Sequence, residues 1–122
     1  MNALVVDDNQ LNGRLVSVFL KRLGWEVQCV ASGDAALQSL KGTRFDMVLL
    51  DLRMPVMTGE QACRTLRADP AHAGLYVVAF TAHGMAEERD RMRAAGFDEL
   101  LIKPISFADV KSVCDHFFAR AA

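Results

Sequence analysis

Three aspartates, a threonine and a lysine are the side chains whose types and spacing promise chemistry. Asp7 and Asp8 follow the apolar run Ala3-Leu4-Val5-Val6, and Asp51 closes the run Met47-Val48-Leu49-Leu50. Thr81 closes Tyr76-Val77-Val78-Ala79-Phe80, and Lys103 follows Glu99-Leu100-Leu101-Ile102 and precedes Pro104. Such runs are too brief for buried helices; their unbroken apolarity predicts strands covered on both faces, the habit of parallel sheets. Each reactive side chain then stands where a strand leaves the core, at the carboxyl edge where open α/β sheets bind ligands. Carboxylates gathered there repel: at about 4 Å and an effective dielectric near 20, each pair costs roughly 4 kcal/mol. They must take up a proton or share a cation. A carboxylate-rich, sulfur-free site suits Mg²⁺, which binds one or two carboxylates and keeps several waters. With an ammonium and a hydroxyl opposite, the set is equipped for phosphoryl transfer. Asp51 would be the nucleophile, forming an aspartyl phosphate. The metal and Lys103 would neutralise the equatorial oxygens, and Thr81 would donate a hydrogen bond to one of them.

The elements that bring these residues together show in the periodicity. Val16, Phe19, Leu20 and Leu23 predict an amphipathic helix, ended by Gly24 in a left-handed conformation. Trp25-Glu26-Val27-Gln28-Cys29-Val30 alternates and reads as a second strand near the sheet edge. Ser32-Gly33-Asp34 starts a short helix through Leu40, stopped by Gly42, and a modest helix over 59–68 follows the Asp51 loop. The stretch 87–95 is helical but thinly apolar, with Met85, Met92 and Ala95 as its stripe and Glu87/Arg91 as a surface pair. Such a helix is loosely anchored. Ser106 with Asp109 makes a capping box for a last helix that shows Val110, Val113, Cys114 and Phe117 on one face. Strand and helix thus alternate five times. Right-handed crossovers turn that pattern into an α/β (βα)5 doubly wound, flavodoxin-like fold, a five-stranded parallel sheet with helices on both faces. The order 2-1-3-4-5 puts its switch point between strands one and three, which carry the acids.

Composition narrows the class. The 122 residues suit one domain, 1–122, with a full hydrophobic core. A formal charge of −1 gives no electrostatic case for nucleic acid or an anionic membrane. No apolar run approaches the roughly 20 residues of a spanning helix, and Met1-Asn2-Ala3 begins no signal peptide. Cys29, Cys63 and Cys114 lack a CxxC spacing and read as reduced thiols of a cytoplasmic protein. His72, His83 and His116 read as surface or loop histidines, and the methionines as packing. Two other chemistries fit poorly. A phosphohydrolase working through an aspartyl phosphate would want an acid where Arg53 stands, and a flavin phosphate would be repelled by Asp7-Asp8.

Four segments in this order carry a family resemblance: Val5-Val6-Asp7-Asp8-Asn9, Asp51-Leu52-Arg53-Met54-Pro55-Val56-Met57-Thr58-Gly59, Thr81-Ala82-His83 and Lys103-Pro104. Over essentially its whole length the chain resembles a response-regulator receiver domain of two-component signalling. The resemblance implies that Asp51 is the phosphoacceptor. It implies that Asp8 and Asp51 bind Mg²⁺ directly with the backbone carbonyl of Arg53, while Asp7 acts mainly through water. Thr81 would be the switch hydroxyl and Lys103 the cation that pairs with phosphate, with a cis Lys103-Pro104 bond. The phosphoryl donor would be a histidine kinase or histidine phosphotransfer protein, and the switched surface would meet a downstream protein target. Asn9-Gln10-Leu11-Asn12 and Thr81-Ala82-His83-Gly84-Met85-Ala86-Glu87 look most like receivers attached to hybrid histidine kinases. A single-domain phosphorelay regulator and a receiver module excised from such a kinase are both expected arrangements. Arg53 and His83 take the two positions where the family varies phosphoryl lifetime. One position departs from the pattern: Leu100 stands where a switch aromatic is usual.

Overall fold

Alternation along the strands builds two hydrophobic layers on one sheet. The strands β1 (Asn2–Val6), β2 (Glu26–Val30), β3 (Met47–Asp51), β4 (Tyr76–Thr81) and β5 (Glu99–Ile102) are parallel, in the order β2-β1-β3-β4-β5. They alternate with α1 (Gln10–Arg22), α2 (Gly33–Gly42), α3 (Gly59–Arg67), α4 (Ala86–Ala95) and α5 (Phe107–Ala119), and a 3-10 turn at Pro70–His72 precedes β4. This is the five-stranded doubly wound order expected from the sequence, in a computed structural model that describes residues 1–82 and 86–120. Leu4, Val6, Val48, Leu50, Val77 and Ala79 face α2, α3 and α4, while Ala3, Val5, Leu49, Val78 and Phe80 face α1 and α5. β3 and β4 are buried along their whole length, and β2 is a half-exposed edge.

Local chemistry sets the helix starts. Asn9 caps α1 by accepting from the N–H groups of Leu11 and Asn12, and Ser32 caps α2. Thr58/Gln61 and Ser106/Asp109 are reciprocal capping boxes on α3 and α5, the second as expected from the sequence. Gly24 has φ of +90°, as its place after α1 predicts. Several boundaries differ from expectation. α2 runs on through Gly42, with Thr43 as its cap, and β2 begins at Glu26. Trp25 is buried instead, edge-on to Phe117 with centroids 5.3 Å apart, so aromatic packing takes it out of the strand's alternation. Cys63 and Cys114 are buried and Cys29 is exposed; all three are free thiols. Among the described residues no helix is long and apolar enough to cross a membrane.

One guanidinium ties the α3 side together. Arg67 donates to the carbonyls of Gly96 at 2.9 Å, His72 at 3.2 Å and Leu75 at 2.8 Å, and to Asp98 Oδ2 at 2.8 Å. The same Asp98 oxygen accepts from the Val77 N–H at 2.8 Å. Arg67 thereby joins the end of α3 to the turns that feed β4 and β5. Arg67→Ala strands several half-buried acceptors, so a loss of about 2 to 4 kcal/mol is expected, read as a lower denaturation midpoint at unchanged slope. Arg67→Lys recovers little of it, because an ammonium lacks the planar fork.

α4 is the weakly held element. It buries only Met92 and Ala95 among its described residues. Met85, the third residue of its expected stripe, lies outside the described residues. Arg91, expected to pair along the helix with Glu87, instead meets Glu60 of α3 at 3.4 Å.

Candidate functional site

Strand register decides which reactive groups meet. Val6 pairs with Leu50 and Asp51 with Phe80, so Asp7 and Asp51 leave the sheet side by side with Thr81 one step along β4. Thr81 pairs with Ile102, which places Lys103 just past it on β5. The Lys103 N–H donates to the Thr81 carbonyl at 2.7 Å, and the Lys103-Pro104 bond is cis, as the resemblance implied.

Carboxylate oxygens of Asp7, Asp8 and Asp51 lie within 4.8 Å of one another. Asp7 and Asp51 are buried and Asp8 is exposed. The acids are not the cap of the first helix, since Asn9 fills that role. Asp7 Oδ1 accepts from the Asn9 N–H at 2.8 Å, and Asp51 Oδ1 accepts from the Arg53 N–H at 3.2 Å. Lys103 Nζ lies 3.4 Å from Asp51 Oδ1 and 3.7 Å from Asp7 Oδ2, over the Phe80 ring at 5.2 Å from its centroid. Among the described residues Asp7 Oδ2 is buried without a hydrogen-bond donor. Burial pushes the Asp7 carboxyl up to about 6; the Asn9 N–H and Lys103 oppose the rise, and Asp51 adds to it. A buried carboxylate pair with one lysine for two charges is short of positive charge. That is the electrostatic signature of a cation site.

Backbone geometry holds this arrangement. A Cβ at Gly59 would sit 2.3 Å from the Asp51 carbonyl oxygen, so only glycine lets α3 start so close to the end of β3. Between them the Met57 N–H donates to the Pro55 carbonyl at 2.8 Å, closing a three-residue turn about Val56. Val56 is 96% exposed with φ of +69°, an uncommon conformation for a β-branched side chain. Arg53 is exposed on the same loop, and its backbone N–H is the donor to Asp51.

The structure thus brings together Asp7, Asp8, Asp51 and Lys103, with Thr81 and Arg53 at their flank. His83 lies outside the described residues. Leu100 is half-buried against the α3–α4 side of the core. One contact gives no sign of itself in the sequence. Thr81 is 1% exposed, and its hydroxyl donates to Glu88 Oε1 in the first turn of α4 at 3.1 Å. On a helix of mostly charged residues, Glu88 looks like any surface acid.

Comparison with known proteins agrees with this geometry. A family model for the response regulator receiver domain matches residues 3–115. The sensor protein GacS of Pseudomonas syringae pv. syringae is 43% identical over 106 residues, 84% of this chain and 12% of that protein. The signal transduction histidine-protein kinase BarA of Escherichia coli K12 is 35% identical over 105 residues, 86% of this chain and 11% of that protein. The chain therefore spans a small part of the length of these relatives. Among solved structures, a chemotaxis protein of Vibrio cholerae superposes with a TM-score of 0.90 at 28% identity, covering 95% of this chain and 97% of that one. The receiver domain of a sensor histidine kinase from Pseudomonas aeruginosa, with magnesium coordinated in its active-site cleft, gives 0.87 at 30% identity and covers 97% of both chains.

Proposed function

The chain belongs to the response-regulator receiver family, and from that footing we propose that Asp51 is the residue on which this phosphoacceptor domain carries its phosphoryl group. The observation that supports this most is one lysine shared by two buried carboxylates, with a third acid within 4.8 Å. The Asp51 carboxylate attacks phosphorus as the P–N bond of a phosphohistidine protonated on its other ring nitrogen breaks; the bonding pair stays with that nitrogen and the imidazole leaves neutral. Lys103 is placed to pair with the incoming oxygens, and Thr81 to donate to one of them.

The acid set suits Mg²⁺: its donors are oxygens, Asp7 Oδ2 lacks a donor, and the Asp7 carboxyl is held unusually basic by burial. Asp8, Asp51 and the Arg53 carbonyl would hold the ion directly, and Asp7 through water. Bound there, the ion supplies positive charge to the transferring group. The domain acts once for each phosphoryl group it receives and turns over no separate substrate.

The donor is a histidine kinase or a histidine phosphotransfer protein, and the output is a protein surface. GacS and BarA favour a receiver module working within a hybrid kinase. The kinase that feeds such a relay draws on a nucleoside triphosphate, so the reading puts the domain in the cytoplasm. Leu11, Leu15 and Val18 leave an apolar stripe exposed along α1. Leu15 shares a shallow groove with Lys103, Pro104 and Ile105, so a donor approaching Asp51 meets that stripe.

The test is direct. Wild-type protein incubated with phosphoramidate and Mg²⁺ is expected to gain the mass of one phosphate, and chelation of the metal to prevent it. An unchanged mass together with no Mg²⁺ binding overturns the reading.

A further inference from the structure

We propose that Glu88 is a positioning residue for phosphorylation: it holds the Thr81 hydroxyl away from Asp51 until a phosphoryl group competes for it. The inference rests on Asp51 as the phosphoacceptor and goes beyond it, because it concerns what the unphosphorylated site must give up.

A threonine hydroxyl has one proton to donate. Here that proton is directed at Glu88 Oε1, 3.1 Å away and seven residues further along the chain, on a different element. The bond is charge-assisted, and Thr81 is shut off from water, which makes it stronger than a surface contact. A phosphoryl group on Asp51 adds a charge of about −1.5 to −2 and three acceptor oxygens. Thr81 cannot serve both acceptors. When it turns to the phosphoryl group, the half-buried Glu88 carboxylate loses its donor and faces a second anion across the site. Both effects push the first turn of α4 outward. α4 offers little resistance, since Met92 and Ala95 are its only buried residues among those described. With Leu100 in place of an aromatic ring, this hydrogen bond is a direct tie, among the described residues, between the β4 end of the site and α4.

Because Glu88 stabilises only the unphosphorylated arrangement, removing it must favour the phosphorylated one by the same factor. Beryllofluoride with Mg²⁺, a non-transferable mimic of the phosphoryl group, is the probe. Glu88→Ala is expected to bind it about tenfold more tightly than wild type, which corresponds to about 1.4 kcal/mol. Glu88→Asp, a shorter carboxylate, is expected to fall between the two. Glu87→Ala removes a charge from the same turn and is expected to change affinity less than twofold. In a Thr81→Ala background the Glu88→Ala gain is expected to vanish. Without the probe, Glu88→Ala and Thr81→Ala are each expected to speed amide exchange in the first turn of α4, and the double variant no further.

Three results overturn the proposal: Glu88→Ala binding like wild type, a gain that persists in the Thr81→Ala background, or an equal gain in Glu87→Ala. The last two would mark a general charge effect. Failure of wild type to bind beryllofluoride at all would sink the phosphoacceptor reading instead, and with it the competition proposed here. The exchange measurement still tests the resting contact by itself.

Discussion

Asp51→Asn is expected to leave a folded protein that takes up no phosphate from phosphoramidate and Mg²⁺, a loss on the order of 10³-fold or more in rate. The amide keeps the size of the carboxylate but is a poor nucleophile, and it removes a charge from a cluster whose members repel one another. Stability should therefore hold or rise, which separates lost chemistry from lost fold. Asp7 cannot take over. Its Oδ1 is engaged by the Asn9 N–H, and the side chain is buried beside the lysine it shares. Asp8 is exposed, whereas the carboxylates that Lys103 reaches are those of Asp7 and Asp51. Intact mass and peptide mapping check this. A phosphate found on another aspartate of the variant, at wild-type rate, would contradict the assignment.

Asp7→Asn is expected to make the metal-free protein more stable at pH 7.5 by about 2 to 3 kcal/mol. Burial holds the Asp7 carboxyl at about 6 in the folded chain, against about 3.9 for an unfolded aspartate. Below pH ~4 the side chain is protonated in both states, and the favourable contribution of the bound proton is complete. It fades as pH rises from ~4 to ~6, and above that the folded chain carries a charge it would be more stable without. Wild type should accordingly lose stability over this window while Asp7→Asn does not, so the two curves meet near pH 4. Mg²⁺ should narrow the gap at pH 7.5, because binding to the native site adds stability that the variant largely forgoes. Urea titrations at several pH values, with chelator or with Mg²⁺, measure all of this. A variant less stable than wild type at pH 7.5 in chelator would show that Asp7 is not held above its ordinary range.

The legible part of this molecule is the part encoded in short runs. Met47-Val48-Leu49-Leu50 and Tyr76-Val77-Val78-Ala79-Phe80 announce buried strands because runs of four or five apolar residues between turn signals are too short for a buried helix. Once the strands are placed, Asp51, Thr81 and Lys103 have one edge to share, and the carboxylate cluster follows. Ser106 with Asp109 is readable for the same reason, since a capping box lies within four residues. What escapes is held by contacts between distant segments. Trp25 fits an alternating pattern, yet Phe117 decides its place. Arg67 gathers carbonyls from the turns before β4 and β5, a role that depends on two loops meeting at the end of α3. Glu88 acquires meaning only when α4 is laid against the end of β4. Spacing on a helix tells which residues share a face, and not what that face touches.

The missing side chain at residue 59 has a mechanical consequence. With the start of α3 pressed against the Asp51 carbonyl, any retreat of that aspartate would run straight into helix backbone. Phosphate therefore arrives on an anvil. Whatever gives way in reply must lie further along the same edge, toward the loosely packed α4, and a chain stiff on one flank and slack on the other turns a local charge into movement in a single direction.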